Sequence, residues 1–155
     1  MKVFCDTSAL LKLYHDEKGS FAVAECLSRG TIDGVCLAEI TKVEFCSAIW
    51  KKIRSGGLSQ EAGFAVIEIF SNNSSDFEWI RLNEEIVELA RTKVLEYGKM
   101  GLRTLDSIQL AAGISARISL DSNLTFLTTD QVLYAAFLKE NVKPLLTLEE
   151  IEQEQ

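Results

Sequence analysis

The chain has 155 residues, of which 47% are apolar and 25% charged, with a single proline. Domains most often hold roughly 100–150 residues, so this length and composition predict one compact domain over residues 1–155 and exclude a disordered chain. The net charge of −7 argues against broad, nonspecific DNA binding, which requires clustered Lys and Arg, although local basic patches and metal ions can still attract nucleic acid.

No segment predicts membrane insertion or export. No apolar run approaches the ~20 residues that cross a bilayer, and the N-terminus lacks the small-residue cleavage site of a signal peptide. The four cysteines form no C-x-x-C pair and are accompanied by one histidine, His15. This spacing favours buried, reduced thiols over a zinc site. We therefore expect a cytoplasmic protein.

In chain order, short apolar segments alternate with longer segments of helical spacing. Strands are predicted at about 2–6, 34–38, 77–82, 125–129 and 142–146. Helices are predicted at about 7–15, 20–29, 38–54, 59–71, 83–98, 102–117 and 130–140. This alternation implies an α/β fold with a parallel sheet covered on both sides. The acidic segment LEEIEQEQ is expected to form a solvated terminal turn.

Two aspartates follow predicted strands directly. Asp6 ends the first strand, in VFCD, and Asp130 ends the fourth, in FLTTD. Ligands of parallel α/β sheets bind beyond the carboxyl ends of the strands, where strand order reverses. If the fourth strand returns to lie beside the first, Asp6 and Asp130 meet at one crevice. Either residue could instead cap the helix that follows it, and the sequence leaves both interpretations open.

A third aspartate, Asp106, is expected inside a helix, in LRTLDSIQLAAG. Leu102 and Leu110 border it on the same face and favour an orientation towards the core. The alternative is a surface ion pair with Arg103, which would contribute only a few tenths of a kcal/mol.

The predicted helix AEITKVEFCSAIWKKIR contains two glutamates and a basic cluster. Glu39 has Lys42 three residues away, as expected for a surface acid, whereas Glu44 has no cation at helical contact distance and is expected to face inward. The basic cluster WKKIR could contact nucleic acid, but cations at the end of a helix also complement its dipole.

Four inward-facing carboxylates would repel one another, and a bound divalent cation would remove that conflict. Mg²⁺ and Mn²⁺ take oxygen ligands, keep several waters and bridge phosphates. The acids therefore favour metal-assisted hydrolysis of a phosphodiester. The sequence contains no Ser–His–Asp, Cys–His or P-loop arrangement that would compete with this chemistry.

Four blocks, CDTSALLKLY, ITKVEFCSA, LRTLDSIQLAAG and FLTTDQVL, resemble the PIN-domain nucleases, most closely the VapC-type toxins of toxin–antitoxin pairs. The resemblance covers nearly the whole chain. It implies a three-layer α/β/α fold with a central, mostly parallel sheet of about five strands. It also implies Mg²⁺- or Mn²⁺-dependent RNA cleavage, a homodimer and an inhibitory antitoxin. The implied metal and catalytic residues are Asp6, Glu44, Asp106 and Asp130, with Ser8 in support.

One position departs from the family pattern. The usual Asp-x-x-His of the third block reads Asp-x-x-Gln here, with Gln109 in place of the histidine. That histidine is not a metal ligand in the family, so the change does not count against activity.

Two other functions compete with a toxin ribonuclease. A stand-alone RNA-processing nuclease would use the same acids without an antitoxin, and a non-catalytic PIN-like binding module would use them as caps and surface pairs. A receiver domain or a haloacid-dehalogenase-like phosphatase fits poorly. Asp-Thr-Ser lacks the second aspartate of the phosphatase motif, and Lys143 precedes Pro144 too early in its segment for a receiver.

Overall fold

The computed structural model describes residues 1–153. Its sheet has five strands: β1 (Lys2–Cys5), β2 (Gly34–Ala38), β3 (Phe77–Ile80), β4 (Thr125–Leu127) and β5 (Lys143–Pro144). All of the pairings are parallel, in the order β3-β2-β1-β4-β5. The prediction of a parallel α/β sheet of about five strands is confirmed.

The described residues also form eight α-helices. They are α1 (Thr7–Tyr14), α2 (Ser20–Leu27), α3 (Thr41–Arg54), α4 (Gln60–Asn72), α5 (Glu84–Tyr97), α6 (Thr104–Ser119), α7 (Gln131–Lys139) and α8 (Leu148–Glu152). Short 3-10 segments lie at Asn73–Asp76 and Gly98–Met100. Within residues 1–153, no helix combines the length and apolarity needed to cross a membrane.

Alternation along the central strand builds two cores, one on each face of the sheet. Phe4 packs in a core that includes Leu110 of α6 and Phe137 of α7. Its neighbours Val3 and Cys5 pack in a second core with residues of α1, α2, α3, α4 and α8. Helices therefore cover both faces, which gives the three-layer α/β/α architecture.

Strand order reverses at β1, as the sequence analysis assumed. The chain places β2 and β3 on one side of β1 and then returns to place β4 and β5 on the other. Cys5 lies opposite Leu127, and the backbone N–H of Asp6 donates to the Leu127 carbonyl over 3.1 Å. The carboxyl ends of β1 and β4 therefore meet at one edge, where parallel sheets bind ligands.

The prediction of a solvated turn at LEEIEQEQ is wrong over Leu148–Glu152, which forms α8. Thr147 and Glu150 form a capping box, in which each side chain accepts from the other's backbone N–H, at 3.2 and 2.7 Å. Ile151 is buried in the core on the α1 side of the sheet. The T-x-x-E pattern ahead of Ile151 was the sequence signal for this helix. Residues 154 and 155 lie outside the described part of the chain.

Gly113 sets how closely α6 approaches the sheet. A Cβ at this position would lie 2.6 Å from Cε1 of Phe137 and 3.1 Å from Cδ1 of Phe4. Both rings are fully buried, and Phe126 stacks on Phe137 with centroids 4.5 Å apart. The rings therefore have little room to yield.

Gly113→Ala is expected to lower the free energy of unfolding by about 1–3 kcal/mol, because overpacking outweighs the better helix propensity of alanine. Urea unfolding followed by circular dichroism measures the change. Gly98→Ala is the control, since Gly98 has helical φ and ψ angles and open space around its Cα. Equal midpoints for the Gly113 and Gly98 variants would contradict the close packing of α6.

Candidate active site

A cleft of about 430 Å³ opens at the edge where β1 and β4 end. All four predicted acids and Ser8 line it. Asp6 immediately follows β1, and Asp130 precedes α7. Glu44 comes from the first turn of α3, and Asp106 from the first turn of α6. The fold thus brings together carboxylates from four elements that are distant in sequence.

A larger cavity, of about 530 Å³, lies between α5 and α6. Its lining is almost wholly apolar and contains no acidic side chain. Size alone would favour this cavity as a binding site, but the groups capable of hydrolytic chemistry line the smaller cleft.

Asp6 is both a helix cap and the most buried acid of the cleft. Its side chain is 5% exposed, and Oδ1 accepts from the Ala9 backbone N–H at 3.1 Å and from the Ser8 hydroxyl at 2.8 Å. The capping interpretation is therefore confirmed, and it holds the carboxylate in the cleft. Burial raises the pKa of Asp6 to about 6, while the bonds from Ser8 and Ala9 oppose the rise.

Ser8 joins the ends of the two central strands. Its hydroxyl donates to Asp6, accepts from the Thr129 backbone N–H at 2.9 Å and lies 3.3 Å from the Thr128 hydroxyl. Asp130, three residues beyond β4, caps α7 by accepting the Leu133 N–H at 2.8 Å. A single small hydroxyl thus fixes Asp6 relative to the loop that carries Asp130.

Asp106 lies within a helix, as predicted, but in its first turn, because α6 begins at Thr104 and not at the predicted residue 102. Arg103 has an extended backbone, and its backbone N–H and Nε each donate to Asp106 Oδ2 at 3.3 Å. The surface ion pair considered from the sequence is therefore present. The Arg103 side chain is 80% exposed, so solvent screens the pair and a bound cation can displace it at little cost.

Glu44 faces inward, as predicted, and is held by a buried polar cluster. Its Oε2 accepts from the Thr7 hydroxyl at 2.8 Å and from the Gln109 amide nitrogen. The same nitrogen also donates to the hydroxyls of Thr7, at 3.1 Å, and Thr41, at 3.0 Å. Burial raises the pKa of Glu44, the bonds from Gln109 and Thr7 lower it, and the charge of Asp106 raises it further.

Sequence reasoning missed the part that Gln109 plays. The side chain is 2% exposed, and its Oε1 has no hydrogen-bond partner among the described residues. A buried carboxylate can only accept while it is ionised, so the amide must turn its NH₂ towards Glu44 and leave its oxygen unpaired. A glutamine within the apolar run SIQLAAG was the available signal, since a buried amide requires a polar partner.

The donor chemistry of the cleft suits a divalent cation. No three His, Cys, Asp or Glu side chains within residues 1–153 are arranged to hold an ion between them. Mg²⁺ does not require such a cage, because it keeps several waters and binds one or two carboxylates directly. Protein hydrogen bonds to the acids converge on one oxygen of each: Asp6 Oδ1, Glu44 Oε2, Asp106 Oδ2 and Asp130 Oδ1. The second oxygens are the candidate metal ligands.

The family model of the PIN domain matches residues 3–137, a span that contains all four acids. A search among curated proteins finds no significant match.

Several solved structures share the fold. A toxin–antitoxin complex from Klebsiella pneumoniae is 19% identical, with 86% of this chain and 90% of that chain covered and a TM-score of 0.58. VapBC2 from Rickettsia felis, bound to a DNA fragment from its promoter, is 15% identical, with 93% of this chain and 97% of that chain covered and a TM-score of 0.59. FitAcB from Neisseria gonorrhoeae is also 15% identical, over 92% and 95%, with a TM-score of 0.59.

Asp6→Asn removes the buried charge and keeps an equally good helix cap. Because the pKa of Asp6 rises from 3.8 to about 6 on folding, the wild-type protein loses stability as the pH rises through this window. The loss above pH 6 amounts to at most about 3 kcal/mol. In EDTA, the variant should therefore melt at a higher temperature than the wild type at pH 7.5, with the advantage shrinking towards pH 4.

Asp121→Asn is the control with the opposite sign. The Lys2 backbone N–H donates to this surface carboxylate and lowers its pKa, so its contribution to stability is present at neutral pH and is lost in acid. The control variant should thus be slightly less stable than the wild type at pH 7.5. If Asp6→Asn melts no higher than the wild type at pH 7.5, or exceeds it by the same amount at pH 7.5 and pH 4, the destabilising effect of burying the Asp6 charge is contradicted.

Gln109→Leu removes the amide that donates to Glu44 and leaves this partly buried carboxylate with one donor fewer. We expect a loss of about 1–3 kcal/mol in unfolding free energy at neutral pH, because a partly buried charged acceptor loses a partner. The loss should shrink when Glu44 is also replaced, in Gln109→Leu/Glu44→Leu. A double-mutant cycle by urea unfolding measures this coupling, and strictly additive effects would contradict it.

Proposed function

The chain belongs to the PIN-domain family, and from this we propose that it is a metal-dependent endoribonuclease, the toxin of a type II toxin–antitoxin pair. The observation that carries the proposal is the cleft at the strand-order reversal, where Asp6, Glu44, Asp106 and Asp130 converge from four elements. Converging carboxylates at such an edge favour a hydrolase that uses a divalent cation.

In this proposal the four acids would hold Mg²⁺ or Mn²⁺ between them, one or two directly and the others through bound water. When bound, the ion supplies positive charge that favours deprotonation of water and offsets charge developing on the phosphodiester. The chain's own residues set the geometry: Ser8 fixes Asp6, and Gln109 and Thr7 fix Glu44. The pKa values of Asp6 and Glu44, raised by burial, support a cation, because ionising both acids without one is unfavourable.

We propose an antitoxin as partner, a homodimer as the assembly and the cytoplasm as the location. The support for the antitoxin is the fold shared with a toxin–antitoxin complex and with VapBC2, at 19% and 15% identity. The dimer and the location follow from the family resemblance of the four sequence blocks. Co-purification with the product of an adjacent short gene tests the partner, and a nuclease with no such gene would be a stand-alone RNA-processing enzyme.

A non-catalytic PIN-like binding module is the second candidate. Asp6 and Asp130 do cap helices, and Asp106 does pair with Arg103, so three of the four acids have structural uses. The inward-facing Glu44 weighs against this candidate, since its burial raises its pKa and no cation compensates it among the described residues.

Purified protein is expected to cleave structured RNA in the presence of Mg²⁺ or Mn²⁺, and cleavage should stop in EDTA. Asp6→Asn, Asp106→Asn and Glu44→Gln should each slow cleavage by about 100-fold or more, the scale for losing one electrostatic stabiliser of a transition state. Ser8→Ala should cost about 10–100-fold, as for outer-shell groups that orient ligands. Gel analysis of end-labelled RNA gives the rates, and calorimetry with Mn²⁺ gives the metal affinity.

Glu39→Gln is the matched control for Glu44→Gln. Glu39 lies just before α3, is half-exposed and pairs with Lys42 at 3.9 Å, outside the cleft lining. Its loss should leave cleavage and metal affinity unchanged. Full activity in Asp6→Asn and Glu44→Gln would contradict the catalytic role of these acids. A wild type that cleaves no RNA, with Mn²⁺ binding absent or unchanged in both variants, would favour the non-catalytic module.

A further inference from the structure

We propose that Lys51 and Arg54, here called the cationic edge, bind the phosphate backbone of the RNA strand beside the scissile bond. This inference rests on the proposed ribonuclease function and adds the residues that position its substrate. Both side chains line the cleft that contains the four acids.

The cationic edge and the acid Glu44 share one face of α3. The cleft-lining positions of this helix are Glu44, Ser47, Ala48, Lys51 and Arg54. Counted from Glu44, they fall at i, i+3, i+4, i+7 and i+10, which are positions of a single helical stripe. At 1.5 Å per residue, Lys51 lies about 10 Å and Arg54 about 15 Å along the axis from Glu44. The stripe therefore begins with an acid and ends with two cations.

The two residues between these charges are small. Ser47 and Ala48 line the cleft between Glu44 and the cationic edge, and neither side chain reaches far above the helix surface. Larger side chains there would separate the acids from the cations. A ligand lying along the stripe can therefore contact both ends of it.

The cations of the edge are available for a ligand. Lys51 and Arg54 are exposed, and within residues 1–153 neither forms an ion pair with a carboxylate. Lys52, between them in sequence, turns away from the cleft and donates to Glu17 Oε2 at 2.6 Å. All three residues complement the helix dipole equally well, so the dipole does not explain why two of them face the acids.

Spacing and charge favour a nucleic acid strand as the ligand. The ligand must offer a phosphodiester to the acids and further anionic groups about 10–15 Å away along α3. Successive phosphates of one strand satisfy both needs, whereas a small phosphate ester spans only one. An acidic peptide would satisfy the cations but would bring more negative charge to four carboxylates. Arg54 also suits a phosphate through its fork of donors.

The test compares three substitutions in one turn of α3. Lys51→Gln and Arg54→Gln remove the cationic edge, singly and together, and Lys52→Gln removes the same charge from the other face. Fluorescence anisotropy with a labelled single-stranded RNA, in EDTA and over a series of salt concentrations, gives the slope of log affinity against log salt. Each phosphate contact contributes about −0.7 to this slope for single strands. The slope should be shallower by about 1.4 in the double variant, whereas Lys52→Gln should keep the slope of the wild type.

Cleavage kinetics provide a second readout. Because the edge contacts phosphates other than the one that reacts, the double variant should raise KM by about tenfold or more with kcat nearly unchanged. A salt slope or KM equal to that of Lys52→Gln would overturn the inference. Tight binding of polyglutamate that depends on the same two residues would also overturn it, since the edge would then be a site for acidic protein.

The outcomes separate this inference from the proposed function. Cleavage that requires Asp6, together with an unchanged salt slope in the double variant, refutes the cationic edge and leaves the nuclease. If the double variant has a shallower salt slope but the wild type cleaves no RNA with Mg²⁺ or Mn²⁺, the proposed nuclease function is refuted and the cationic edge is supported as an RNA-binding surface. Melting temperatures close to that of the wild type for all variants confirm that the comparison is between folded proteins.

Discussion

The Asp6 carboxylate is buried at the reversal of strand order, and the arrangement of the groups around it follows from that burial. The order β3-β2-β1-β4-β5 creates a crevice between the ends of β1 and β4, and Asp6 lies there at 5% exposure. An isolated buried carboxylate is costly, and its pKa of about 6 reflects that cost. The N–H of Ala9 and the hydroxyl of Ser8 offset part of it. A bound cation would offset the remainder.

The same conflict between charge and burial recurs at Glu44. The fold does not pair this acid with a cation but surrounds it with neutral donors, Thr7 and Gln109, at the cost of an unpaired amide oxygen on Gln109. A Lys or Arg in that position would neutralise the carboxylate and compete with any metal ion. Neutral donors orient one oxygen while preserving the negative charge that a metal requires. An unsatisfied buried atom next to a candidate ligand is consistent with an arrangement selected for ligand binding over stability.

The sequence predicted the strands from local patterns, whereas the reversal of their order was an assumption that the structure bears out. The four acids and Ser8, taken from local patterns and the family resemblance, all line one cleft. Apolar runs predict strands, and a carboxylate directly after a strand predicts a ligand edge. Its failures have physical reasons. Leu102 resembles the start of a helix by its spacing but lies buried before α6, so Asp106 falls in the first turn. The contact between Gln109 and Glu44 joins residues 65 positions apart, and no local pattern contains it.

Helix α3 carries both the acid Glu44 and the cationic edge on one face, whereas the protein as a whole is acidic. The chain carries a net charge of −7, so its overall field repels nucleic acid, and the proposed binding of RNA would require a local arrangement of cations. The stripe from Glu44 to Arg54 provides one, because it places unpaired cations at one end of a cleft whose other end is acidic. Lys52 belongs to an ion pair with Glu17 on a different face, so the attraction from α3 is confined to Lys51 and Arg54. A local cationic edge on an acidic protein would guide a strand into the cleft without promoting general binding of nucleic acid.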